Sequence, residues 1–202
     1  VDVNSEPCTV ASATTKPRPT APTALSAQGG LPSRIALAWN ENPETDIKYF
    51  HLYRKKAEGK FKEIRKLPPD QSQYEDVKLD HGTTYAYQLQ AEDKDKLLSD
   101  FSDSAEATTK PLPQPPTSLE VHGVANGFRL RWKPNPEPDI VKYKIYLHSF
   151  MLDKEIGSTE ATNFTIDTLK PDSEYTVSVT AVDKDGLESK KSEQIKVRTL
   201  GQ

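Results

Sequence analysis

Side chains that could carry out acid–base or nucleophilic chemistry are few in this sequence and are scattered along it. The histidines stand far apart in the chain, at His51, His81, His122 and His148. Two of them fall inside predicted strands, one in a turn and one at the end of a strand. No Ser or Cys stands beside a His with an orienting acid in a recognisable motif. The sequence therefore predicts neither an active site nor a bound cofactor.

One acidic segment has the residue types of a cation site. Asp183-Lys184-Asp185-Gly186 resembles the start of a calcium-binding loop, in which carboxylates alternate with other residues. The bidentate Glu expected at the twelfth position is missing, because Gln194 stands there. A solvated turn between two strands accounts for the same residues, since Asp and Gly suit the backbone geometry of turns.

Basic side chains cluster on a predicted hairpin in the first half of the chain. The members of this basic cluster are Arg54, Lys55, Lys56, Lys60, Lys62, Arg65 and Lys66. One interpretation is a charged edge that blocks aggregation between sheets. The other is a patch for an acidic protein surface or a polysaccharide. Glu58 and Glu63 interrupt the cluster and aromatic residues are scarce in it, so the sequence indicates no nucleic-acid partner.

The corresponding hairpin in the second half has an apolar tip, made of Phe150, Met151 and Leu152. Turns are normally polar, so this tip either folds back onto its own core or anchors a partner protein. Leu97, Leu98 and Phe101, in a predicted loop of the first half, pose the same question.

Composition narrows the function classes further. The chain has 202 residues, with 27 basic and 30 acidic side chains and a net charge of −3, so bulk charge does not favour polyanion binding. This length gives room for two domains of about 100 residues each. No apolar run approaches the roughly 18 residues of a membrane-spanning helix. The single cysteine, Cys8, excludes an internal disulfide and indicates either an intermolecular bridge or a bystander thiol.

Two segments recur along the chain. Residues 39–53 and 132–146 are identical at 7 of 15 positions, and residues 85–99 and 175–189 also agree at 7 of 15. Apolar side chains alternate with polar ones in both copies, as in Phe128, Leu130 and Trp132. A period of two indicates strands with one buried face, and about seven short runs in each copy predict two antiparallel sandwiches.

The repeat and the composition together predict the domain boundaries. Residues 1–21 are rich in Ser, Thr, Ala and Pro and are interpreted as a flexible tail. Residues 22–109 and 116–202 form the two predicted domains. Residues 110–115, with proline at three of six positions, are a stiff linker between them.

The repeated residues resemble those of fibronectin type III domains, over nearly all of the chain outside the tail. The resemblance rests on tryptophans in the second strand, aromatic partners in the third strand and a tyrosine corner with a Leu six residues before a Tyr. These core residues are Trp39, Trp132, Phe50, Tyr143, Leu79, Tyr85, Leu169 and Tyr175. The resemblance implies an all-β chain of two seven-stranded immunoglobulin-like sandwiches in tandem.

The same resemblance implies where loops meet. In this family the loop after the second strand and the loop before the last strand share one end of the sandwich. That would bring Glu137 and Asp139 close to Asp183 and Asp185, as a weak cation site that stiffens the linker.

For function, the resemblance implies a non-enzymatic, exported protein similar to bacterial members of the family. The first interpretation is adhesion, with both modules binding a protein partner at a bacterial cell surface or in the periplasm or medium. A second is a structural subunit or decoration of an extracellular assembly. A third is an accessory spacer of a larger secreted enzyme. The sequence does not name the partner, since this fold serves many unrelated ones.

Overall fold

The computed structural model describes residues 12–149 and 152–201. Regular structure in these residues consists of β-strands, and they contain no helix. The described residues therefore include no helix that could cross a membrane.

The first seven strands form two sheets. The three-stranded sheet has the order β1-β2-β5 and the four-stranded sheet has the order β4-β3-β6-β7. The strands are β1 (Ser26–Leu31), β2 (Arg34–Ala38), β3 (Ile47–Lys56), β4 (Lys62–Leu67), β5 (Gln73–Val77), β6 (Thr84–Asp93) and β7 (Ala105–Thr108).

The next seven strands repeat this topology. Their sheets have the orders β12-β9-β8 and β11-β10-β13-β14. The strands are β8 (Thr117–Val124), β9 (Gly127–Lys133), β10 (Ile140–His148), β11 (Lys154–Thr159), β12 (Asn163–Ile166), β13 (Glu174–Asp183) and β14 (Ile195–Arg198). The predicted fold class, two seven-stranded antiparallel sandwiches in tandem, is confirmed.

The second sandwich shows how the alternating pattern becomes a core. Every second residue of β9 is buried, and these side chains meet inward-facing residues of the other sheet in one cluster. Burying an aliphatic or aromatic side chain contributes about 1.5–3 kcal/mol, so this shared core holds the two sheets face to face. Its buried members are Phe128, Leu130, Trp132, Tyr143, Ile145, Val177, Val179, Ala181 and Val197.

A β-bulge lies at the start of the third strand of each sandwich. The register of β3 against β6 shifts between Ile47 and Tyr49, and that of β10 against β13 shifts between Ile140 and Lys142. A bulge bends the strand and redirects the residues beside it. The acidic residue just before each strand therefore lies next to the end of its partner strand, which positions the site described below.

The contacts between residues divide the chain into two compact units. Of the described residues, the first unit holds 12–28, Ile35–Asp76 and Thr84–Ala107. The second unit holds Gly29–Arg34, Val77–Thr83 and the rest of the chain from Thr108. The domain boundaries drawn from the sequence stay a prediction.

Candidate functional site

In the second unit, three aspartates surround the ammonium group of one lysine. The Nζ atom of Lys110 lies 2.7 Å from Oδ2 of Asp139 and 2.7 Å from Oδ2 of Asp183, and it also pairs with Asp185. An ammonium group has three N–H donors, so each donor can meet one carboxylate. The three acids are called the second Asp triad below.

Local backbone geometry builds this triad. Asp183 is the last residue of β13, and its Oδ1 atom accepts the backbone N–H groups of Asp185 at 2.9 Å and Leu187 at 2.8 Å. These bonds fold the chain back as an Asx turn, which returns Asp185 to the site. Across the sheet, the carbonyl oxygen of Asp139 accepts the N–H of Lys184 at 2.9 Å beside the bulge.

The first unit contains the same arrangement. The Nζ atom of Lys16 lies 2.7 Å from Asp46, 2.6 Å from Asp93 and 2.5 Å from Asp95. The Oδ1 atom of Asp93 accepts the N–H groups of Asp95 at 2.9 Å and Leu97 at 2.8 Å. Asp46, Asp93 and Asp95 are called the first Asp triad below. Because both units build the site, it is a property of the repeat.

In each triad the lysine lowers the pKa of one aspartate. The hydrogen bond from Lys110 holds the pKa of Asp139 below its usual value, and the bond from Lys16 does the same for Asp93. Burial alone would lower the pKa of Lys110, but its bonds to the second Asp triad outweigh burial and raise that pKa. The pKa of Lys16 is also raised, first of all by its bond to Asp46. Each lysine is therefore a permanent cation of its site.

The cation site expected from the sequence differs from the structure in one of its acids and in its cation. Asp139, Asp183 and Asp185 do lie together, with ligand atoms within 4.8 Å of one another. Glu137 takes another role, because its Oε1 atom accepts the backbone N–H of Gln114 at 2.7 Å. The cation among the three aspartates is the Lys110 ammonium group. A metal ion would have to displace it.

Sequence reasoning missed both lysines, although the sequence contains a signal for them. Residues 16–23 read KPRPTAPT and residues 110–117 read KPLPQPPT, identical at five of eight positions. The first of these segments overlaps the predicted tail. A search for repeats that extended beyond the strands would have paired Lys16 with Lys110.

Two histidines, His51 and His148, are hydrogen-bonded to carboxylates. His51 lies between two carboxylates, with Nε2 2.7 Å from Glu92 and Nδ1 3.2 Å from Glu63. The bond to His51 lowers the pKa of Glu92. Lys144 takes the same repeat position in the second unit and pairs with Glu188 at 2.9 Å. A basic side chain between acids is thus the shared feature of this repeat position, which indicates a structural role.

The predicted basic cluster does not form one surface. Arg54 turns toward Asp76, with Nη1 2.8 Å from Oδ2, and the buried hydroxyl of Tyr87 donates to the same oxygen at 2.9 Å. The next residue, Lys55, instead lies over the ring of Phe61 at 5.1 Å. Neighbouring strand residues point to opposite faces, so the side chains of Arg54 and Lys55 lie on different faces of the sheet. The basic cluster as a binding patch stays a prediction. Lys60, Lys62, Arg65 and Lys66 are exposed.

The residues that the sequence assigned to the core are buried or pack against it, and two aromatic pairs among them are in edge-to-face contact. Trp39 and Phe50 meet edge to face at 6.0 Å, and Trp132 and Tyr143 meet in the same way at 5.2 Å. The hydroxyl of Tyr175 accepts the N–H of Lys170 at 3.2 Å, as a tyrosine corner requires. Leu79 and Tyr85 are buried, and Leu169 packs against the second core.

The predicted apolar anchors differ in exposure. Leu152 is 77% exposed at the turn between β10 and β11, and Phe101 is 47% exposed with its ring against Tyr53 at 5.1 Å. Leu97 and Leu98 are half-buried. Phe150, Met151 and Cys8 lie outside the described residues.

Comparison with known proteins assigns the second sandwich to a family. The family model described as fibronectin type III domain matches residues 114–198. The chain contains a fibronectin type III domain. The first seven strands repeat the strand order of this sandwich and the bulge at the start of its third strand. Domains of this type commonly serve in protein–protein interaction or as spacers.

Two solved structures with fibronectin type III domains match this chain at low sequence identity. The crystal structure of the chicken CNTN1 FN1–FN3 domains shares 17% identity, with a TM-score of 0.44, over 91% of this chain and 68% of that one. A two-domain fibronectin type III segment from chicken tenascin shares 18% identity, with a TM-score of 0.42, over 88% of this chain and 99% of that one. No curated protein matches this chain.

Proposed function

We propose that this chain is a non-enzymatic binding protein, exported to a bacterial cell surface, whose two modules engage a protein partner in adhesion. Docking uses hairpin tips and exposed sheet faces, while the sandwiches serve as rigid supports. The proposal includes no catalytic step, because His51 and His148 are each hydrogen-bonded to neighbouring carboxylates.

The observation that carries this proposal is the exposure of Leu152. Its side chain stands 77% exposed beside a groove of about 610 Å³ at one end of the β10–β11 hairpin. The groove has an apolar wall with a charged rim, and its lining includes Leu147, Tyr175, His148, Asp153 and Lys154. An exposed apolar residue with a charged surround is the usual form of a protein-binding anchor.

The first unit supplies a second anchor of similar chemistry. Phe101 is 47% exposed and stacks edge to face on Tyr53, so the ring is held in place while one face stays open. Aromatic rings fixed in this way lose little conformational entropy on binding. Two anchors on two modules allow bivalent attachment, which raises avidity at a surface.

The test measures binding to immobilised collagen, fibrinogen and laminin by surface plasmon resonance. We expect saturable binding to at least one of these matrix proteins, and a loss of affinity of about tenfold or more for Leu152→Ser, because interface anchors contribute more than about 1 kcal/mol. Val141→Ser is the matched control, since Val141 is 47% exposed but lies away from the hairpin tip. Absence of binding to all three, or equal affinity of parent and Leu152→Ser, would contradict the proposal.

A spacer role, as part of an assembly or of a larger secreted protein, is the second candidate. The observation that favours it is the ion-paired lysine in front of each sandwich, which fixes the leading segment to its module. A spacer predicts no saturable binding to the matrix proteins. It also predicts that Leu152→Ser changes neither binding nor folding.

A further inference from the structure

The segments that lead into the two sandwiches have the same residue pattern. Residues 16–23 and 110–117 share a lysine, three prolines and a final threonine at equal spacing, Lys-Pro-x-Pro-x-x-Pro-Thr. Proline fixes its backbone near polyproline II geometry, so such a segment is extended before it meets any partner. Little conformational entropy is lost when a segment of this kind docks.

Each segment contacts its sandwich at two places. The lysine enters the Asp triad, as described above. Four residues later the backbone is held by an Asn-x-Glu pair: the N–H of Gln114 donates to Glu137 at 2.7 Å, and Nδ2 of Asn135 donates to the carbonyl oxygen of Gln114 at 2.7 Å.

The first unit repeats this second contact with the equivalent residues. The N–H of Thr20 donates to Glu44 at 2.8 Å, and Nδ2 of Asn42 donates to the carbonyl oxygen of Thr20 at 2.9 Å. The hydrogen bonds lower the pKa of Glu44 although burial opposes them, so this carboxylate is an ionised acceptor.

Two prolines, one on either side of the second contact, form the buried side of each segment. Pro19 and Pro22 are buried in the first unit, and Pro113 and Pro116 are buried in the second. The positions between them are more open and differ in chemistry, such as Arg18 in one copy against Leu112 in the other. Both sandwiches therefore contact the lysine, the prolines and the backbone of the segment. In the first site two variable side chains add contacts, because the Thr20 hydroxyl donates to Glu44 at 3.1 Å and Arg18 lies 3.5 Å from Asp100.

The Asp triads also need the lysine. The Oδ2 atoms of Asp93 and Asp183 are buried and accept no hydrogen bond from any other described group. With the lysine in place their side chains are 1% exposed, so the ammonium group is the cation that meets these oxygens. A buried carboxylate oxygen without a cation is costly, which gives each triad a requirement for a cationic ligand.

We propose that each sandwich carries a peptide-docking site, formed by its Asp triad and its Asn-x-Glu pair, whose ligand is a basic, proline-spaced segment of the pattern Lys-Pro-x-Pro-x-x-Pro. In this chain residues 16–23 occupy the first site and residues 110–117 occupy the second. We expect the two segments to be interchangeable, because the lysine, the backbone of the fifth residue and the buried prolines are contacted in both sites. The site is independent of adhesion, since Leu152 and Phe101 take no part in it.

The first test measures amide hydrogen exchange of the full chain by NMR. Lys110→Met keeps the length and apolar stem of the side chain but removes the ammonium group. We expect exchange at the Gln114 amide to rise at least tenfold, while the amides of β10 and β13 keep their protection. Lys16→Met has the same effect at Thr20.

The matched controls are Lys184→Met and Lys94→Met. These exposed lysines stand one residue after Asp183 and Asp93, so each control removes a nearby positive charge without touching the docking contacts. Unchanged exchange at Gln114 in Lys110→Met, or an equal rise in Lys184→Met, would overturn the proposal. Should Lys110→Met fail to fold, Asn135→Ala removes the other contact and must raise exchange at Gln114 by itself.

The second test exchanges the segments. Leu112→Arg, Gln114→Thr and Pro115→Ala together give the second sandwich the leading segment of the first. We expect protection at the amide of residue 114 to stay within about threefold of the parent, because lysine, backbone and spaced prolines are retained. Loss of exchange protection at this amide would show that docking depends on the variable side chains. That result would refute a common docking site.

Discussion

The Nζ atom of Lys110 lies 2.7 Å from Oδ2 of Asp183, a carboxylate whose side chain is 1% exposed. Lys110 stands in the segment before the second sandwich, whereas Asp183 ends a central strand of that sandwich. A charge in the leading segment is thus paired with a charge that the fold has taken out of water. The ion pair therefore stabilises both the leading segment and the end of the strand, because a buried carboxylate is costly without a cation beside it.

The first prediction concerns acid stability. Asp139 has a pKa lowered in the folded state by Lys110, so the stability it contributes is present above the unfolded pKa of about 3.9 and is lost as the pH falls through the folded value. Lys110, with its raised pKa, contributes at all pH values below its unfolded pKa of about 10.4. We expect the urea midpoint of the second unit to be level between about pH 5 and pH 9 and to fall below pH 4.

The control for this prediction is Lys110→Met. Without the ammonium group the folded pKa of Asp139 returns toward its usual value, so the urea midpoint of the variant should fall less between pH 7 and pH 3 than that of the parent. The two curves converge at low pH. Parallel curves at all pH values would mean that other acids govern the acid transition.

The second prediction separates the two oxygens of Asp183. Asp183→Ala removes the acceptor of two backbone N–H groups together with the partner of Lys110, and should lower the free energy of unfolding of the second unit by about 2–4 kcal/mol. Asp183→Asn keeps an oxygen acceptor for the turn and should cost about half as much. Both values come from urea denaturation.

The comparison for these variants is Asp185→Ala. Asp185 pairs with the same lysine, but its side chain is 35% exposed and water can replace the contact, so we expect a loss below about 1 kcal/mol. A loss as large as that of Asp183→Ala would show that the ion pairs, and not the hydrogen bonds of the Asx turn, dominate the site.

The third prediction uses a difference between the repeats. The turn after β6 places Lys96 at φ 68°, and the turn after β13 places Gly186 at φ 80°. Side chains rarely adopt this left-handed backbone, whereas glycine does so readily. Lys96→Gly should therefore stabilise the first unit by about 0.5–1 kcal/mol, as measured by thermal or urea unfolding.

The reverse substitution, Gly186→Lys, should destabilise the second unit by about 1 kcal/mol. A Cβ atom at Gly186 would meet nothing within 4 Å, so backbone strain is the cause and steric overlap is not. Changes of the same sign in both units would exclude left-handed strain as the explanation.

Fold class was accessible from the sequence because its signals are local. Apolar residues alternate with polar ones in β9, which assigns Phe128, Leu130 and Trp132 to one face of the strand. This period of two is enough to predict a strand with one buried face. The repeat then gives the same topology twice. The contact of Arg54 with Asp76 was not predicted, because the sequence does not show that Asp76 and Tyr87 form a polar cluster inside the first unit.

For the candidate site, the resemblance to a family brought Asp139, Asp183 and Asp185 together, but placed Glu137 with them. A carboxylate has several acceptor positions, and which donor it meets depends on where the neighbouring backbone runs. The backbone N–H of Gln114 meets Glu137, and this contact can be seen only when the leading segment is in place.

The sequence by itself determined the strands, the repeat and the acidic turn residues. These depend on residue type and short-range spacing, which the chain carries in order. The tertiary structure decided which charges meet: Lys110 and Asp185 are 75 residues apart, and Lys16 and Asp95 are 79 apart. The Asx turn and the bulge position the aspartates, and the buried prolines position the segment that carries the lysine. Residues so far apart in the chain form an ion pair only where packing holds both of them in place.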